Sequence, residues 1–123
     1  MNALEKPQID PAQVLAKAFL NASKELGLTQ TEAGETIGMH RTAVSQLKSK
    51  PNLKPDTKSG ELALMLIRLA RSLFALTGGD KAWTHHFMSS HNKVTHGVPK
   101  EQIKTVQGLV RVLQFTDAIR GKV

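Results

Sequence analysis

Arg41, Thr42, Ser45, Gln46 and Lys48 fall within eight residues, interleaved with Val44 and Leu47. On a helix, Val44 and Leu47 turn inward together, leaving the polar five for solvent or a ligand. Their chemistry is that of base and phosphate recognition. Arg41 can donate two hydrogen bonds to a guanine edge, and Gln46 can pair with an adenine edge. Thr42 and Ser45 can serve phosphate or base, and Lys48 can hold the backbone. Gln30, earlier in the chain, completes the set as a phosphate donor at a helix start.

Positioning such a row takes two short helices and a tight turn, and LTQTEAGETIGMHRTAVSQLK (residues 28–48) supplies them. Thr29 with Glu32 three residues on forms a capping box for a helix from Gln30. Ala33-Gly34 gives that helix a small middle for close packing, and Gly38 ends it. A third helix is expected from Arg41 to Ser49, with Ile37, Val44 and Leu47 as anchors. This layout resembles the Xre/Cro-type helix-turn-helix, LTQxELAxxLGxSxxTxSxxL. His40 replaces the usual capping serine, which leaves the third helix less securely capped. The resemblance implies DNA contacts from Gln30, His40, Arg41, Thr42, Ser45, Gln46 and Lys48.

Charge supports the same placement. Net charge is +7, permitting a nucleic-acid partner. Residues 1–38 hold three lysines against five acids, whereas residues 39–58 hold Arg41, Lys48, Lys50, Lys54 and Lys58 against Asp56 alone. The basic stripe begins abruptly at Arg41.

Forty per cent of the 123 residues are hydrophobic, enough for a core, and the chain lacks cysteine. Disulfides, thiolate metal sites and cysteine nucleophiles are therefore excluded. The N-terminal MNALEKPQID lacks the pattern of a signal peptide. The most apolar run, residues 62–76, is shorter than the roughly 20 residues of a membrane span and carries Arg68 and Arg71. A cytoplasmic location is expected. His85, His86, His91 and His96 contain no i, i+4 pair and no neighbouring carboxylate, so no metal site is expected. Neither GxSxG nor HExxH occurs, and the acids are scattered, so the chain reads as no enzyme and as needing no cofactor.

Apolar periodicity is helical throughout, and the fold class is all-α. The first helix is expected from Asp10 or Pro11 to Gly27, with Val14, Leu15, Ala18, Phe19 and Ala22 inward. A long fourth helix follows at about 59–77, then a short one around Lys81 to Met88. Pro99 opens another through about Lys104, and Thr105 caps the last. Trp83 is expected to anchor the core against Leu109 and Leu113. Gly108, in the first turn of the last helix, implies a close backbone approach, either to the neighbouring helix or to a partner.

From Leu53 onward the order of features resembles the Xre/MbcA/ParS antitoxin family. The shared points are RLARSL in the long helix, Gly79-Asp80, Trp83 with Phe87, Asn92, Gly97 with Pro99, the Thr105-x-x-Gly108 step and a closing helix ending in glycine. Val98 stands where a capping threonine is common, and Thr116 interrupts the apolar closing pattern. The resemblance implies a helix-turn-helix domain (1–58) followed by a long helix and small helical toxin-binding domain (59–123). It implies a RES-family toxin partner that consumes NAD, and autorepression through operator DNA. The toxin-binding set is then Val110, Phe115, Asp117, Arg120, Gly121, Lys122 and Val123. Reading of paired half-sites implies a homodimer, with no membrane partner. The rival reading is a stand-alone repressor whose second half only dimerises.

Overall fold

The computed structural model describes residues 8–121. Its helices are α1 (Pro11–Glu25), α2 (Gln30–Ile37), α3 (Arg41–Gln46), α4 (Lys58–Thr77), α5 (Lys81–Ser89), α6 (Pro99–Gln102) and α7 (Val106–Arg120). Among the described residues there is no strand, only an isolated antiparallel bridge between Asn92 and Gly97. The all-α expectation holds.

Local chemistry sets most helix starts. The Asp10 carboxylate accepts the Ala12 N–H at 3.0 Å, with Pro11 in the first turn. Asp80 accepts from the Trp83 N–H at 3.1 Å. The two long helices of the second half begin with one device used twice. The Thr57 hydroxyl accepts from Gly60 N–H at 3.1 Å, and the Thr105 hydroxyl accepts from Gly108 N–H at 3.1 Å. In each case the carbonyl three residues before the threonine, from Lys54 or Gln102, fills the space where the glycine would carry a Cβ. The close approach expected at Gly108 is therefore to the chain's own preceding turn.

Helix α4 is the centre of the molecule, packing against α1, α2, α5 and α7. Ala63, Leu66, Leu69, Ala70 and Leu73 are all buried on it, which explains its apolar composition. One continuous core runs from Leu15 on α1 through α4 to Leu113 on α7. Residues on both sides of the 58/59 division share it. The connector before α4 is pinned by the Leu53 N–H, which donates to the Ala12 carbonyl at 3.1 Å. That bond brings α4 to the same end of the molecule at which α1 begins.

Helix α1 buries Leu15, Ala16, Phe19 and Ala22. Val14 departs from expectation: it is 55 % exposed, at the edge of the stripe, where no other element of the described chain covers it. Thr116 is buried without being left unpaired, because its hydroxyl donates to the Leu113 carbonyl at 2.9 Å.

Candidate DNA-reading and partner-binding surfaces

Helices α2 and α3 meet through small and apolar groups. The capping box is complete: Thr29 Oγ1 accepts the Glu32 N–H at 3.1 Å, and Glu32 Oε1 accepts the Thr29 N–H at 2.9 Å. Gly34 lies so close to the Met39 carbonyl that no side chain fits there. Gly38 turns the chain at φ 73°. Val44 and Leu47 are buried, while Arg41, Thr42, Ser45, Gln46 and Lys48 are exposed and Gln30 is half-buried. The row expected from the sequence is thus displayed on one side of the motif.

Two details differ from expectation. His40 itself caps α3, its Nδ1 accepting the Thr42 N–H at 3.2 Å and lying 3.1 Å from the Thr42 hydroxyl. The imidazole acceptor takes the place of a serine oxygen, so the helix start is capped and the ring is held at it. Helix α3 also ends at Gln46 rather than Ser49, because the chain tightens there. Leu47, Lys48 and Ser49 N–H groups bond three residues back, at 3.1–3.2 Å. Lys48 consequently projects from the tightened turn.

Gln30 and Lys48 line one hollow of about 390 Å³ between the end of α1, the start of α2 and the end of α3. Lys24 lines it too. The sequence reading passed over Lys24, whose only signal was its place in the last turn of α1, next to Gly27. Two ammonium groups and an amide around a hollow beside α3 suit a phosphate oxygen.

A second surface lies on α5 and α7. Trp83 was expected in the core against Leu109 and Leu113, and it is instead 46 % exposed. Helix α5 buries Thr84, Phe87 and Met88, which puts Trp83 at the margin of that face. It is the outer ring of a three-ring stack. Trp83 and Phe87 centroids are 5.7 Å apart at 4°, and Phe87 and Phe115 are 6.0 Å apart at 5°. Val110 and Phe115 are half-buried, and Arg120 and Gly121 are exposed at the tip of α7. Asp117 is tied inward: Arg68 donates to it at 3.0 Å and the Ser72 hydroxyl at 3.3 Å, fixing α7 to α4. Lys122 and Val123 lie outside the described residues.

Ion pairs join α2 to α6 and to the turn that follows it. Lys100 reaches Glu32 at 3.6 Å, and Lys104 reaches Glu35 at 3.5 Å and Glu101 at 2.9 Å. Only the spacing of Lys100 and Lys104 against Glu32 and Glu35 hinted at this contact. The backbone N–H of Thr29 holds the Glu32 carboxyl below its ordinary value against the opposing effect of burial; the Thr29 hydroxyl, Lys100 and Lys104 add to the lowering. The hydrogen bond that Lys104 donates to the Glu101 carboxylate raises the Lys104 pKa against the opposing effect of desolvation, with smaller help from Glu35.

Among the described residues, no cluster of three or more His, Cys, Asp or Glu could hold a metal ion, and no helix is long and apolar enough to cross a membrane. Two family models match the chain. One, described as an antitoxin Xre-like helix-turn-helix domain, covers residues 7–68. The other, described as an antitoxin Xre/MbcA/ParS C-terminal toxin-binding domain, covers residues 70–122. No curated protein matches.

Proposed function

The chain belongs to the Xre-like helix-turn-helix antitoxins, with an Xre/MbcA/ParS toxin-binding domain as its second half, and from that premise we propose that it neutralises a RES-type, NAD-consuming toxin while repressing its own operon. The observation that carries this reading is that an exposed polar row and an aromatic stack are built on different helices of one core. Arg41, Thr42, Ser45, Gln46 and Lys48, with His40 at their head and Gln30 beside them, form the DNA surface. The stack ending in Trp83, with Val110 and Phe115, leads to the tip of α7.

On this reading the aromatic stack anchors the toxin and the tip enters or covers its active site. Arg120 and Lys122 meet polar groups that otherwise handle the phosphates of the dinucleotide. Gly121 lets the backbone after α7 approach closely. Asp117, through Arg68 and Ser72, orients α7 for that contact. The protein acts in the cytoplasm as a dimer on operator half-sites about one helical turn apart.

Co-expression with the product of the neighbouring gene tests the pairing. A stable complex and preserved cellular NAD are expected; no complex would leave a repressor that only dimerises. Deleting Gly121 to Val123 is expected to abolish neutralisation while operator binding survives, and full neutralisation by the shortened chain would refute the role of the tip. Arg41→Ala is expected to lose about 1–3 kcal/mol of operator affinity with neutralisation intact.

A further inference from the structure

Helix α2 turns different sides to two parts of the molecule. Gln30 and Ala33 line the hollow that suits a phosphate oxygen. At about 3.6 residues per turn, Glu32 and Glu35 emerge on the opposite side of the helix. There they meet the second half of the chain: Glu32 faces Lys100 of α6, and Glu35 faces Lys104 in the turn after it. The Glu32 side chain is 17 % exposed and that of Lys100 33 %, so water and salt screen this pair less than an open surface pair.

The Glu32 carboxylate is shared. Its Oε1 accepts the Thr29 N–H at 2.9 Å, and its Oε2 lies 3.6 Å from the Lys100 ammonium. Lys100 therefore fixes the carboxylate that caps α2, and through Thr29 the turn from which Gln30 projects. The preceding turn is also seated on the second half, since a Cβ at Gly27 would come within 2.9 Å of the His85 ring on α5. The far end of α2 is held separately: the Ser59 hydroxyl of α4 donates to the Ile37 carbonyl at 2.8 Å. We propose that Lys100 is a positioning residue for DNA reading, acting through Glu32 and Thr29 to aim Gln30 at a backbone phosphate. A residue of the half that carries the aromatic stack then serves operator affinity. That role rests on the DNA-reading function proposed above.

Binding of the full-length chain to a duplex taken from upstream of its own gene, followed by fluorescence anisotropy at fixed salt, tests it. Lys100→Gln is expected to weaken binding about fivefold, and Lys100→Arg to keep wild-type affinity. Helical circular dichroism should be unchanged in both. The loss is expected to disappear in a Gln30→Ala background, where the aimed contact is already gone, and to persist in full in an Arg41→Ala background. A loss equal in both backgrounds, which general loosening would give, would overturn the positioning role. So would a Lys100→Gln chain that binds as tightly as wild type or loses its helical signal, or a Lys100→Arg chain as weak as Lys100→Gln. A wild-type chain that ignores the duplex would instead overturn DNA reading itself, and this role with it.

Discussion

Replacing Gly108 with alanine should destabilise the protein, although alanine is the better helix former by about 0.8–1.0 kcal/mol. An added Cβ lies 2.6 Å from the Gln102 carbonyl carbon and 3.0 Å from the Thr105 hydroxyl, and nearer still to the Gln102 oxygen. Bringing the carbon alone to the 3.4 Å of ordinary contact requires a shift of about 0.8 Å, and the oxygen must retreat further. That oxygen accepts from the Thr105 N–H and from its hydroxyl, both at 3.3 Å. Overpacking of this kind costs about 1–3 kcal/mol, and loosening two hydrogen bonds about 1–3 more. After the propensity gain the expected net loss is about 1–5 kcal/mol. Urea unfolding at fixed protein concentration, with wild type alongside, reads it directly. A variant as stable as wild type, or more stable by the propensity difference, would refute the steric account. Gly60→Ala should behave alike, since the Lys54 carbonyl occupies the same relative place.

Other outcomes follow from named contacts. His40→Ala removes the α3 cap and should cost about 1 kcal/mol of stability, while His40→Ser should restore most of it; a His40→Ala chain as stable as wild type would show that the imidazole does not cap. Glu32 has a lowered carboxyl in the folded chain, so its contribution is present above the unfolded carboxylate value of about 4.3 and is lost as pH falls below it. Glu32→Gln should flatten that part of an acid-unfolding profile. Arg68→Ala breaks a largely exposed pair and should change stability by about 1 kcal/mol or less. Trp83→Ala should leave the fold intact but weaken toxin binding by about 2 kcal/mol, measured by calorimetry on the complex.

What could be read from the residues was the chemistry that closes over a few positions. Asp10, Thr29 with Glu32, Pro99 and Thr105 announce helix starts because a cap or a fixed φ needs no distant partner. The polar row on α3 was legible for the same reason, being defined against Val44 and Leu47 on a single helix. Trp83 and Val14 were misplaced because periodicity marks the side of a helix that faces its neighbours, not how far those neighbours reach. A tryptophan one position off the Thr84, Phe87 and Met88 face falls at its margin. Likewise the clasp of α6 on α2 joins residues about 70 apart, and only the folded chain brings Lys100 to Glu32. Helix α3 stops early because its last N–H groups tighten to bonds three residues back, a choice the sequence between Gln46 and Ser49 leaves open.

The core that passes unbroken through α4 has a consequence for turnover. Leu66, Leu69 and Leu73 belong to no single half, so a protease that opens either end strips the packing from the other. Degradation should then be all-or-none, with no trimmed fragment left behind. On the proposed function, loss of the protein would release the toxin and the promoter in one event.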